Sequence, residues 1–282
     1  MGEFASNSVS ATFVNRNNFG TFAVIGLLAN VAVYTRSSSS DALDPARRLR
    51  DFLEGFFSGH WVFAIGTLIC LAAIFFSESR AGFAAALVGL AIFSATGRRK
   101  NAGSIYATTF VGLIVALSLL AFSSGTFTRM FAAGGDEARF LIYPLVLDGI
   151  LDRPLLGHGL GAFHDAFRAY VSPELSFREI DLAHSSYLEN LFELGIPAGV
   201  AFYFALLTIV FVIYRGVKRR VQNQRFPRFA FATAMAVGFH AFFDFSLQIP
   251  AIAALFAFVL GLGWAQSFSG QNKDVPSGTD IR

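Results

Sequence analysis

The residues best suited to chemistry are His184, Arg80, Arg139 and the pair His240 and Asp244. An imidazole is the side chain most easily poised near neutral pH, so His184 could act as a general base. The same histidine could instead bond a backbone group at the start of a helix. Guanidinium groups bind phosphate oxygens bidentately and keep their charge at any working pH, which suits Arg80 and Arg139 to a phosphate-bearing ligand. The competing use is an interfacial arginine that snorkels to lipid headgroups. His240 and Asp244 are four apart, which on a helix puts both on one face. Buried in a membrane, such a pair could bind substrate, relay protons or lock helices together. His158, His164 and His184 match no standard metal-ligand spacing, so no metal site is expected.

The elements that must carry these residues are membrane helices. The 282-residue chain is 54% hydrophobic, carries 34 Phe and has a mean hydropathy of +0.55. A water-soluble domain of this length cannot hide that much apolar surface. An all-α polytopic membrane protein follows, with seven expected spans: Phe19–Tyr34, Phe56–Phe76, Ala81–Ala95, Ile105–Ser123, Gly195–Tyr214, Phe229–Leu247 and Pro250–Gln266. Residues 1–266 read as one membrane domain, and 267–282 as a polar, disordered cytoplasmic tail. The sole cysteine, Cys70, falls in an apolar run and permits no internal disulfide.

Most of the 22 basic residues fall on one side: Arg36 to Arg50, Arg98 to Lys100, and the cluster from Arg215 to Arg228. The positive-inside rule makes that side cytoplasmic. The net charge of +3 therefore reflects topology, and no nucleic-acid partner is expected. The loop 124–194 between the fourth and fifth spans then faces outward. It is acidic on balance, so any phosphate site in it must be local. An N-terminus outside with an odd number of spans suggests that helices precede Met1 in a longer protein.

Within that loop, Asp136 is a plausible N-cap for an interfacial amphipathic helix. Phe140, Leu141, Tyr143, Leu145, Val146 and Leu147 form its expected apolar face, and Pro144 is expected to kink or break it. GHGLGAF (Gly157–Phe163) reads as a tight turn, because no strand precedes it to make a nucleotide loop. HSSYLENLFELGIPAG (His184–Gly199) predicts a surface helix, a sharp break and then a span. Leu182, Tyr187, Leu188, Leu191 and Leu194 share its apolar face, with Glu189 and Glu193 off it. Gly195 suits a left-handed C-cap, and Pro197 suits the next first turn.

Five motifs in order, NRNNF (Asn15–Phe19), SESRAG (Ser77–Gly82), Arg139 before DRPLLGHGLGAF (Asp152–Phe163), HSSYLENLFELGIPAG and HAFFDFSLQIPA (His240–Ala251), resemble the O-antigen ligase and polymerase superfamily. The likeness runs from about Phe13 to Gly263 and is that of a C-terminal portion. It implies a bacterial inner-membrane glycosyltransferase, active at the periplasmic face without metal, nucleotide or other cofactor. The donor would be an undecaprenyl-pyrophosphate-linked glycan. The acceptor would be lipid A–core in a ligase or another lipid-linked repeat in a polymerase, and relatives glycosylate proteins. By the same resemblance Arg80 and Arg139 would hold the pyrophosphate, His184 would activate the acceptor, and Asp244 would contribute to substrate binding. Ser185 departs from the His-Asn frequent in the family. A transporter or channel built on His240 and Asp244, or an inactive fragment, is the alternative reading.

Overall fold

A computed structural model of the chain describes residues 10–37, 61–97, 137–171, 182–220 and 223–268, without the side chains of 35–37 and 137–140. The expected fourth span, Ile105–Ser123, the first residues of the second span and nearly all of the 267–282 tail lie outside the described residues. The helices are α1 (Arg16–Ser37), α2 (Trp61–Phe76), α3 (Arg80–Ala95), α4 (Glu137–Asp152), α5 (Phe163–Phe167), α6 (Ser186–Arg219), α7 (Arg225–His240) and α8 (Pro250–Ala265). A single 3-10 turn, Ser246–Gln248, joins α7 to α8. No strand occurs among the described residues.

α1 is the centre of the bundle, packed on α2, α3 and α7. Val24, Leu27 and Leu28 are sealed there against Ala230, Ala236 and Val237 of α7. Small residues allow this closeness: a Cβ on Gly89 of α3 would lie 2.8 Å from Leu28 and 3.1 Å from Ala236. By length and composition, Arg16–Tyr34 and Ser186–Arg219 can each cross a bilayer, while 61–76, 80–95 and 250–265 are shorter apolar helices. α1 is mostly enclosed, whereas only 11% of the apolar window of α6 is buried, so α6 turns its apolar side chains outward. A second core lies between α4, α5 and the start of α6, where Ile142, Val146 and Ile150 of α4 meet Phe163, Phe167 and Phe192.

The break expected near Gly195 is present, and its geometry is sharper than a left-handed cap. Gly195 has φ 75° and ψ 167°, a region that in practice only glycine occupies. The loop 153–159 clamps the break from both sides. Amides of His158 and Gly159 donate to the carbonyls of Phe192 and Glu193 (3.0 and 2.9 Å), and the amide of Ile196 donates to the carbonyl of Pro154 (2.7 Å). Two carbonyls of the ending helix and one amide of the next are thereby satisfied by backbone. A Cβ on Gly195 would lie 2.6 Å from the Leu155 carbonyl oxygen. Gly195→Ala is therefore expected to destabilise the protein by at least about 1–3 kcal/mol, read as a lower midpoint of thermal unfolding.

Two expectations need correction. α4 runs unbroken through Pro144, which sits on the exposed face where its missing N–H leaves little to satisfy. Ile142, Val146, Gly149 and Ile150 form the side of α4 that packs inward, with Phe192 against Gly149, while Leu141 and Leu147 of the expected apolar face are exposed. The sixth helix ends at His240 instead of Leu247, so Asp244 stands in the following turn and not on the helix face of His240.

Candidate active site

The start of α1, the α2–α3 turn, the approach to α6 and the turn after α7 gather at one end of the bundle. Ser79 caps α3, its hydroxyl accepting from the Gly82 amide (3.1 Å), which makes Arg80 the first residue of that helix. Gly82 approaches Gly20 of α1 so closely that its Cβ would lie 3.5 Å from the Gly20 Cα. The Arg16 guanidinium faces the Glu78 carboxylate at 3.7 Å. NRNNF and SESRAG are thus adjacent, with Arg80 half-buried beside them.

Asp244 has no exposed surface. Its carboxylate accepts from the Ser246 hydroxyl (2.6 Å) and the Asn17 side-chain amide (3.4 Å). Thr21 Oγ1 lies 2.8 Å from both Ser246 Oγ and His240 Nδ1. One consistent assignment of protons runs His240 Nδ1–H to Thr21, Thr21 to Ser246 and Ser246 to Asp244. The turn also reaches α6: the Ser186 amide donates to the carbonyls of Ala241 and Asp244 (3.0 and 3.2 Å), and its hydroxyl donates to the latter (3.1 Å).

His184 stands two residues ahead of α6, not on it, with a left-handed φ of 53°. The half-buried ring lies 5.3 Å from the ring of Phe245. The Tyr143 hydroxyl is 3.1 Å from the His184 carbonyl and 3.3 Å from that of Phe242, so α4, the His184 segment and the α7 turn share one strut. Arg139 precedes Tyr143 by four residues in α4, one helical turn away on the same face; its side chain lies outside the described residues.

Glu189 and Glu193, expected off the apolar face, are both buried because each grips a backbone N–H. Glu189 accepts from the Ala183 amide (2.9 Å), directly ahead of His184, and Glu193 accepts from the Phe163 amide (3.1 Å). Both stand ahead of the Gly195 break, on the segment read as a surface helix. Burial pushes the Glu189 carboxyl up to about 7, the Ala183 amide opposes this, and Glu193 and Asp244 add to the rise. A raised folded-state pKa means that Glu189 favours the fold while protonated. Stability is expected to fall as pH rises from about 4.5 towards 7, and Glu189→Gln is expected to flatten that slope in unfolding measured across this range.

The sequence reading gave no site role to Asn17, Asn18, Thr21, Ser186, Ser246 or Tyr143. Asn17 and Thr21, four apart at the start of an otherwise apolar span, were the available signal. His158 donates Nε2–H to the Gly149 carbonyl (2.9 Å) and stacks on Phe192, and His164 pairs with Asp165 (3.2 Å). No cluster of three His, Cys, Asp or Glu able to hold a metal occurs among the described residues.

Residues 65–203 match the family model described as O-antigen ligase. No curated protein matches the chain.

Proposed function

Residues 65–203 belong to the O-antigen ligase family, and from that premise we propose that the chain transfers a glycan from an undecaprenyl-pyrophosphate carrier to an acceptor hydroxyl at the periplasmic face of the bacterial inner membrane. The family and the apolar helices support a membrane enzyme of lipid-linked glycan transfer. The observation that carries the finer reading is the linkage of all five motif segments. The Arg16–Glu78, Asn17–Asp244 and Ser186–Asp244 contacts join four of them, the Phe163–Glu193 bond joins the fifth, and the Tyr143–His184 contact ties in the helix that carries Arg139.

In this reading His184 takes the proton of the acceptor hydroxyl as its oxygen attacks the anomeric carbon. The bond from that carbon to the phosphate oxygen breaks, the configuration inverts, and undecaprenyl pyrophosphate leaves. Negative charge grows on the pyrophosphate during departure, and Arg80 and Arg139 stabilise it. The first turn of α3 adds the positive end of a helix dipole at Arg80. Asp244, fully enclosed, serves substrate binding by holding Asn17, Ser246 and Ser186 in place. Seven spans, with loop 124–194 outward, give the donor lipid access from the outer leaflet.

Arg80→Ala and Arg139→Ala are each expected to abolish surface glycan attachment or polymerisation at unchanged protein level, measured in cells that depend on this gene. Normal glycan in both would sink the reading. Deleting the full gene separates the two activities: long unattached chains mean a ligase, and single-repeat capping means a polymerase. His240 and Asp244 hold Thr21, Ser246 and Asn17, which supports helix locking over a conduction path.

A further inference from the structure

We propose that loop 155–160 is a leucine wedge inserted in the outer leaflet beside α6. Leu155, Leu156 and Leu160 are 71%, 86% and 80% exposed, on a segment that would be expected to hide them if water surrounded it. The clamp on the α6 break already pairs the Pro154 carbonyl and the His158 and Gly159 amides between and beside these leucines, so inserting the loop leaves none of those groups unpaired in lipid. No charged side chain occurs from Pro154 to Phe163. The one titratable group, His158, is turned inward onto Phe192 and Gly149.

What covers these leucines follows from continuity. The Ile196 amide bonds to Pro154, so the loop sits where the exposed apolar face of α6 begins with Ile196, Val200 and Phe204. A lipid-facing surface thus runs without interruption from the span onto the loop. Asp152 and Arg153 directly precede the wedge in sequence, and Asp152 accepts from the Tyr170 hydroxyl (2.9 Å). The expected depth is that of an interfacial element, about 5–10 Å into the headgroup and acyl boundary. This inference stands independently of the glycan chemistry.

The test uses the full chain with Cys70→Ala, in phosphatidylcholine and phosphatidylglycerol vesicles, carrying an environment-sensitive dye on Leu156→Cys. Val200→Cys is the lipid reference and Asp165→Cys the water reference. The Leu156 label is expected to emit as from an apolar site and to be quenched more by lipids with a nitroxide near the headgroup than by deeper ones. Leu155→Asp with Leu160→Asp is expected to abolish that quenching while Val200 stays quenched. Water-like emission at 156 overturns the proposal. So does apolar emission without lipid quenching, which would mean a protein cover, and so does quenching that survives both aspartates, which would mean insertion by the dye.

Discussion

His184→Asn is expected to lower glycan transfer by about 10²–10⁴-fold, the range that a positioned general base supplies, with the protein folded and at normal level. Asparagine is the informative replacement because His184 has a φ of 53°. Asparagine tolerates that left-handed backbone, whereas alanine there adds roughly 1–2 kcal/mol of strain unrelated to chemistry. The contacts that fix the segment use backbone and neighbours: the Tyr143 hydroxyl holds the His184 carbonyl, and Glu189 holds the Ala183 amide. Removing the imidazole leaves both in place. Packing against the Phe245 ring goes with the imidazole, so a large fall in rate with little change in unfolding marks a chemical role. Rates are to be compared at saturating acceptor, where a lost base lowers kcat without raising KM.

Asp244→Ala is expected to have the largest effect on stability. The carboxylate is fully enclosed and accepts from both Ser246 and Asn17. Each buried group left without its acceptor costs about 1–3 kcal/mol, and the vacated volume adds to that. The effect should spread, because Ser246 also meets Asn18 (3.1 Å) and Thr21. The expected outcome is poor yield in detergent and a marked fall in thermal unfolding midpoint. Asp244→Asn keeps the shape and one acceptor oxygen, so it should recover part of the midpoint. Equal loss from Asn and Ala would mean that charge, not packing, holds the network.

Helix positions were legible because apolar length and terminal signals are local. α8 falls on Pro250–Ala265, one residue short of its expected end, and α3 begins one residue early, at Arg80 behind the Ser79 cap. The break at Gly195 was legible for the same reason: only glycine tolerates it, and proline follows two residues later. What the chain order could not reveal is long-range pairing. Glu189 and Glu193 looked solvated because their amide partners, Ala183 and Phe163, lie off the helix. Periodicity also carried the sixth helix past His240, since FFDF continues the apolar run. The turn forms there because Ser186 and Ser246 satisfy the Asp244 carbonyl and carboxylate. Bringing the α4 turn that carries Arg139 next to the His184 segment required the Tyr143–His184 contact, which no spacing announces.

The most direct measurement is glycan transfer by the full-length protein in proteoliposomes, given a purified undecaprenyl-pyrophosphate glycan and a lipid-linked acceptor with chelator present. Wild-type protein is expected to form the elongated or ligated product and release undecaprenyl pyrophosphate, while His184→Asn under the same conditions forms neither above background. Transfer by His184→Asn at the wild-type rate would contradict the role given to this histidine.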